Sequence, residues 1–142
     1  MVLVGCMSPR RFAAPRKGTA AVELAVCLPM LLIVVMGTLE ATDLMFLRER
    51  LKTAAFEGAR TATAPGQNAA AATAAATAVL TQRGIASGSV AITPADVSQT
   101  TATGTQITVT VTAPMGSNSY MKPYLLGSVV TNASVSVTMI RQ

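Results

Sequence analysis

The stretch RKGTAAVELAVCLPMLLIVVMGTLEATDLMFLRERLKTAAFEGAR, residues 16–60, decides how the rest of the chain can fold. It begins with a basic pair and a glycine, continues as an apolar run and ends in a charged segment. An apolar run of about twenty residues is long enough to cross the hydrocarbon core of a bilayer as a helix. We therefore predict a transmembrane helix over residues 19–39 that continues as an amphipathic stem helix over residues 40–63.

The net charge of +5 is concentrated at the N-terminus. Four basic residues precede the apolar run: Arg10, Arg11, Arg16 and Lys17. A nucleic-acid-binding domain would need its basic residues clustered on one folded face, so we predict no nucleic-acid partner. Basic residues just before a span instead favour a cytoplasmic N-terminus. The pattern predicts a single-pass protein of the inner (cytoplasmic) membrane whose C-terminal domain is extracytoplasmic.

Residues 1–18 are typical of a targeting leader and are left out of the fold. The leader ends at Gly18, and Glu23 stands at the fifth position after that glycine. This arrangement, a basic leader, a glycine and then an apolar helix with an early glutamate, resembles the cleavage pattern of type IV prepilins. The resemblance implies that a prepilin peptidase cuts after Gly18, which would leave Thr19 as the mature N-terminus.

Two residues inside the predicted span are unusual for an apolar helix. Glu23 has two interpretations: a carboxylate hydrated at the level of the lipid headgroups, or a pairing site within the span. In the second interpretation its partner is the new amine of Thr19, on the same or an adjacent subunit. Pro29 removes one helical hydrogen bond and is predicted to kink the span.

The stem carries a narrow apolar stripe formed by Leu44, Leu47 and Leu51 at helical spacing. This stripe can pack against the chain's own C-terminal sheet, or it can form contacts with the helix of a neighbouring subunit. The sequence alone leaves both alternatives open.

The stem ends in a short motif with two predicted roles. Glu57 and Arg60 are spaced for an i,i+3 ion pair, and Gly58 between them allows another element to approach the helix closely. The helix is predicted to end before Ala64-Pro65-Gly66, a strong breaker.

Residues 64–142 are predicted to form a small extracytoplasmic domain. An alanine-rich stretch at about 68–83 predicts a second helix, with a low-complexity linker as the alternative. Apolar and polar residues then alternate at about 88–93, 105–113 and 132–140, which is the pattern of half-buried antiparallel strands. The fold class is therefore α+β: a long N-terminal helix packed on a sheet of about three strands, like a reduced type IV pilin.

Both tyrosines of the chain, Tyr120 and Tyr124, fall between the last two predicted strands. Their segment can fold over the sheet and complete a thin core. It can also be a contact with another subunit, because exposed Tyr and Leu residues are favoured at interfaces.

The chain resembles the TadE-like family, the minor pilins or pseudopilins of the tight-adherence (Tad/Flp) pilus. The resemblance rests on Ala21-Val22-Glu23-Leu24-Ala25, Leu28-Pro29, Gly37-x-x-Glu40 and Ala54-Ala55-x-Glu57-Gly58-Ala59-Arg60 in that order, with residues 131–141 similar to the family's closing strand. Leu24 stands where family members often have an aromatic residue, which leaves the TadE, TadF or TadG-like subfamily open. The resemblance implies adherence as the wider process and, as partners, other pilin and pseudopilin subunits, a prepilin peptidase, the inner-membrane assembly platform and the lipid bilayer.

The sequence offers little for catalysis. It has no histidine and only two cysteines, and we find no nucleophile with a base, metal cluster or phosphate loop. We expect neither enzymatic activity nor a cofactor. The main hypothesis is a structural minor pilin-like subunit, cleaved after Gly18. The alternative is an uncleaved single-pass anchor that displays a small binding or adhesion module.

Overall fold

The structure, a computed structural model, describes residues 18–120, 122–125, 127 and 129–142. Its elements are α1 (Thr19–Thr63), α2 (Ala69–Gln82), β1 (Ser89–Thr93), β2 (Gln106–Pro114), α3 (Met115–Asn118) and β3 (Asn132–Ile140). The chain divides into two units between Val34 and Val35. The predicted leader, apart from Gly18, lies outside the described residues.

The described part of the first unit is the beginning of α1. Every residue from 18 to 34 is exposed, including the large apolar side chains between Val22 and Val34. In the part of the chain that the structure describes, α1 is the helix long and apolar enough to cross a membrane. Exposed apolar surface of this extent is unfavourable in water, so the helix indicates membrane anchoring.

The second unit consists of the rest of α1 with a three-stranded antiparallel sheet and α2. The sheet order is β1-β2-β3, with Val90 opposite Val111 and Val111 opposite Val135. Alternate residues of β2 are buried on one face, because successive side chains of a strand point to opposite sides. The predicted α+β fold with about three strands is confirmed.

The core lies between α1 and the buried face of the sheet. Leu51 of α1 is fully buried, together with Val109 and Val111 of β2. Full burial of such side chains stabilises the fold by about 1.5–3 kcal/mol each. The other α1 residues in this core are mostly alanines, which bury little area but let the elements approach closely: Ala54, Ala55 and Ala59.

The alanine-rich stretch after residue 68 is a helix rather than a linker. Asn68 caps it, because its Oδ1 accepts a hydrogen bond from the backbone N–H of Ala71 at 2.8 Å. Gly84 follows the end of the helix with φ of +67°, a conformation that glycine adopts without steric cost. Ala72, Ala76 and Leu80 form its buried face.

The three strands lie within one residue of their expected positions at both ends. The helix α1 is continuous from Thr19 to Thr63, through Pro29 and across the junction between the predicted span and the predicted stem. The short helix α3 was not expected. Sequence periodicity cannot indicate a helix of four residues, because such a helix is about one turn long and the pattern does not repeat within it.

Candidate assembly surfaces

The predicted processing site lies where α1 begins. Gly18 and Thr19 are exposed, and the Gly18 carbonyl oxygen accepts the backbone N–H of Val22 at 3.2 Å. The φ of Gly18 is not in the left-handed region, and no described residue lies within 4 Å of the place where a Cβ would be. The described part of the fold therefore has no steric need for glycine at this position.

Glu23 lies one helical turn after Thr19 and is exposed. Residues four apart are neighbours on a helix surface, and side chains lean towards the helix N-terminus. The Glu23 carboxylate is thus on the side of α1 where an amine at residue 19 would be within reach. Its pairing remains a prediction, as does a kink at Pro29.

The apolar stripe of the stem faces the core of its own chain. Leu51 is fully buried and Leu47 is 3% exposed, while Leu44 is half-buried against the same cluster. Of the two alternatives left open by the sequence, packing on the chain's own sheet is the one observed. As candidate subunit contacts, Leu47 and Leu51 are corrected to core residues, because their surface is already covered.

The motif at the end of the stem combines an exposed pair with a buried glycine. Arg60 Nη1 lies 3.8 Å from Glu57 Oε2, so the expected ion pair is present, at the surface. A Cβ on Gly58 would lie 3.1 Å from Ala76 Cβ and 3.2 Å from Val109 Cγ1. The glycine therefore lets α2 and β2 both approach α1, as the sequence predicted for a close helix approach.

A segment after α3 lies against the stem. We call it the strap and define it as residues 119–125 without Met121, which the structure does not describe. The Ser119 hydroxyl donates to Asp43 Oδ2 at 2.8 Å, and Arg50 Nη2 donates to the Tyr120 hydroxyl at 3.3 Å. Glu40, only 4% exposed, accepts backbone N–H groups from the other end of the strap. Three polar side chains of α1 thus hold the segment against the helix.

The two tyrosines of the strap point away from the core. Tyr120 is 81% exposed and Tyr124 is 91% exposed. The interpretation that their segment completes the core is therefore wrong for these two side chains, since backbone and polar contacts fix the strap instead. Their interpretation as contacts with another subunit stays a prediction.

Glu40 and Arg141 are structural residues that the sequence reasoning missed. Arg141 is 4% exposed, and its guanidinium donates to the carbonyl oxygens of Ala62 and Gln99 at 3.3 Å each. A signal was present for both. Glu40 continues the Leu44–Leu47 stripe by one turn, and Arg141 continues the inward-facing alternation of β3, so each charged side chain falls on a buried face.

The described acidic residues are dispersed. No group of three or more His, Cys, Asp or Glu side chains in the described part of the chain is arranged to hold a metal ion. The carboxylates of Glu40 and Asp43 are engaged by donors of the strap, so both have a structural role within the fold.

Comparison with known proteins locates the resemblance at the first helix. A family model described as TadE-like protein matches residues 18–60, from Gly18 to the last residue of the stem motif. This confirms the resemblance noted from the motifs and indicates involvement in a Tad pilus system, with contacts to other pilus components and to a membrane. No curated protein and no solved structure matches the chain.

Proposed function

We propose, from the TadE-like segment at residues 18–60, that the chain is a minor pilin-like structural subunit that takes part in assembling a Tad-type pilus. It would be inserted as a precursor with its basic N-terminus in the cytoplasm, and a prepilin peptidase would cleave it after Gly18. The observation that carries the proposal is the exposed Gly18–Thr19 junction at the start of an exposed apolar helix.

The environment of Gly18 supports a role in processing rather than in folding. A glycine is usually required where φ is positive or where another group approaches closely. Among the residues that the structure describes, neither condition holds at Gly18, whereas Gly58 and Gly84 each satisfy one of them. A peptidase that accepts only a small residue before the cut supplies a reason for glycine that the fold does not.

The position of Glu23 supports a role in assembly. An unpaired carboxylate in an apolar medium is costly, and a nearby amine offsets that cost. Cleavage creates such an amine at Thr19, one turn away. A subunit whose Glu23 pairs with the terminal amine of a neighbour would be held at a defined register along the apolar helices.

We propose that the role is not catalytic. The chain has no histidine, and the carboxylates of Glu40 and Asp43 are occupied in holding the strap. The extracytoplasmic part would then serve as a folded body carried by the apolar helix, with exposed Tyr120 and Tyr124 as candidate contacts with other subunits.

The test is the N-terminus of the protein isolated from membranes of cells with an intact pilus system. Intact mass and terminal sequencing should show a chain that begins at Thr19. Gly18→Val should keep the leader, and its circular dichroism should match the uncleaved wild-type precursor, because the new side chain meets none of the residues that the structure describes. A wild-type chain that retains Arg16 and Lys17 would instead support the uncleaved anchor.

The assembly role is tested separately. Glu23→Ala should be cleaved normally but should fail to support pilus formation, as scored by electron microscopy and sheared-fraction blotting. Glu49→Ala removes an exposed carboxylate from the stem and is the matched control, which should assemble like the wild type. Normal pilus formation by Glu23→Ala would contradict the pairing role.

A further inference from the structure

A cleft of about 330 Å³ opens between the stem, the end of α2 and the residues around α3. Seven residues line it, most of them with hydrogen-bond donors: Arg50, Arg83, Gly84, Ser117, Asn118, Ser119 and Tyr120. Its volume is at the lower end of the range of small-ligand pockets, about 300–1,000 Å³. The nature of its lining groups decides what could bind there.

Neither guanidinium group forms an ion pair with a residue that the structure describes. Arg50 donates to the Tyr120 hydroxyl and lies over the same ring at 5.8 Å. Arg83, at the end of α2, has no side-chain hydrogen bond or ion pair with any residue that the structure describes. Guanidinium groups stay charged at all physiological pH values and carry five N–H donors each. Most of those donors remain available to a ligand.

The hydroxyl groups of the cleft add donors. The Ser117 oxygen accepts a hydrogen bond from Asn118 Nδ2 at 3.4 Å, and the Tyr120 oxygen accepts one from Arg50. A hydroxyl that is already an acceptor can still donate its own hydrogen. Neither hydrogen has an acceptor among the described residues, so both can point into the cleft.

Two side-chain acceptors near the cleft, on Asn118 and Asp43, are already engaged. Asn118 Oδ1 accepts a hydrogen bond from the backbone N–H of Ala86, and Asn118 Nδ2 donates to the carbonyl oxygens of Ala86 and Pro114. These bonds fix one wall of the cleft. The Asp43 carboxylate accepts a hydrogen bond from the hydroxyl of Ser119, which lines the cleft. The described side chains that line the cleft therefore include two guanidinium groups and no carboxylate, which favours an anionic ligand that accepts hydrogen bonds.

We propose that this cleft is a binding site for a phosphate group. A single guanidinium can satisfy the two oxygens of a planar carboxylate, whereas a tetrahedral phosphate presents oxygens in several directions. Here the donors come from three parts of the fold. Arg50 belongs to the stem, Arg83 to the end of α2, and Ser117 and Tyr120 to the residues around α3. The phosphate can be free in solution or belong to a lipid headgroup. This inference does not depend on cleavage at Gly18.

Isothermal titration calorimetry of the full chain in nonionic detergent tests the site, with inorganic phosphate as the probe at constant ionic strength. Arg83→Gln should weaken phosphate binding about tenfold or more, because it removes a charged hydrogen-bond donor from the site. Arg50→Gln should have a similar effect, and Arg83→Lys should lose less because it keeps the charge. Arg48→Gln, an exposed arginine two residues from Arg50, is the control and should bind like the wild type.

Arg83→Gln keeps the proposal testable if Arg50→Gln disturbs the strap, because the Arg83 side chain forms no hydrogen bond with the strap residues that the structure describes. A parallel titration with glycerophosphoglycerol, the soluble headgroup of phosphatidylglycerol, distinguishes the source. Tighter binding of the headgroup indicates a lipid, and tighter binding of inorganic phosphate indicates the free ion. No binding of either probe, equal loss in Arg48→Gln, or acetate binding as tightly as phosphate would overturn the proposal.

Discussion

Glu40 Oε1 accepts hydrogen bonds from the backbone N–H of Tyr124 at 2.6 Å and of Leu125 at 2.9 Å, although these residues are more than 80 positions away in the chain. Its second oxygen, Oε2, lies 3.1 Å from the same Leu125 nitrogen. An ionised carboxylate accepts such bonds strongly because the acceptor is charged. One acidic side chain of the stem thus fixes the end of the strap.

Removing the Glu40 carboxylate should release the strap. Glu40→Ala leaves two backbone N–H groups without their acceptor, so we expect a loss of about 2–4 kcal/mol in the free energy of unfolding. Glu40→Gln keeps one acceptor oxygen and should lose less. Chemical denaturation in detergent measures the stability, and hydrogen exchange of the Tyr124 and Leu125 amides measures the release.

The control for this prediction is Glu49→Ala, which removes an exposed carboxylate from the same helix. It should leave the exchange of both strap amides unchanged. Unchanged protection of these amides in Glu40→Ala would show that other contacts hold the strap.

Gly58 should not tolerate a large side chain. A Cβ at this position already lies 3.1 Å from Ala76 Cβ, so a larger residue must displace α2 or β2. Gly58→Leu should lower the free energy of unfolding by about 1–3 kcal/mol or more through overpacking. In Gly58→Ala, the gain in helix propensity of about 1 kcal/mol partly offsets the strain.

Gly37→Ala in the same helix is the matched comparison. Its Cβ would meet Leu125 Cδ1 at 3.8 Å, an ordinary van der Waals contact, so the substitution should stabilise by up to about 1 kcal/mol. Thermal unfolding followed by circular dichroism ranks the variants. If Gly58→Leu were as stable as Gly37→Ala, the close approach of α2 to α1 would be wrong.

Leu51 should dominate the stability of the core on the α1 side. It is among the largest fully buried side chains of the described residues and the largest of them on α1, and Leu51→Ala should lose about 2–5 kcal/mol. Met45→Ala, whose side chain is 69% exposed, should change the free energy of unfolding by about 0.5 kcal/mol or less. Denaturant titration measures the free energy of unfolding of both variants. Similar losses in Leu51→Ala and Met45→Ala would mean that the stem does not pack on the sheet as described.

Arg141 should connect the end of β3 to two other parts of the fold. Arg141→Leu removes the donors to the Ala62 and Gln99 carbonyl oxygens, and we expect a loss of about 2–4 kcal/mol in stability. Arg60→Leu is the control, because the ion pair of Arg60 with Glu57 is at the surface and contributes little. Equal effects of the two substitutions in thermal unfolding would contradict a structural role for Arg141.

Much of the fold could be predicted because its signals are local. The apolar run, the stripe of Leu47 and Leu51 and the alternation in the strands each follow from the period of one helix or strand. The close approach at Gly58 was also predictable, since a glycine on the apolar side of a helix permits another element to approach closely. The strap could not be predicted, because its contacts with the stem are individual hydrogen bonds that involve two hydroxyl groups and two backbone N–H groups, and these residues follow no periodic pattern.

The sequence by itself determined that an apolar helix with an early carboxylate, Glu23, precedes a small α+β domain. It did so because hydropathy and periodicity depend only on residues close together in the chain. Tertiary structure alone decided that Leu51 packs within its own subunit, that Glu40 holds the strap, and that Arg50 and Arg83 meet at one cleft. Those relationships join residues distant in sequence, and their partners are fixed only when burial and hydrogen bonding are satisfied for the whole chain at once.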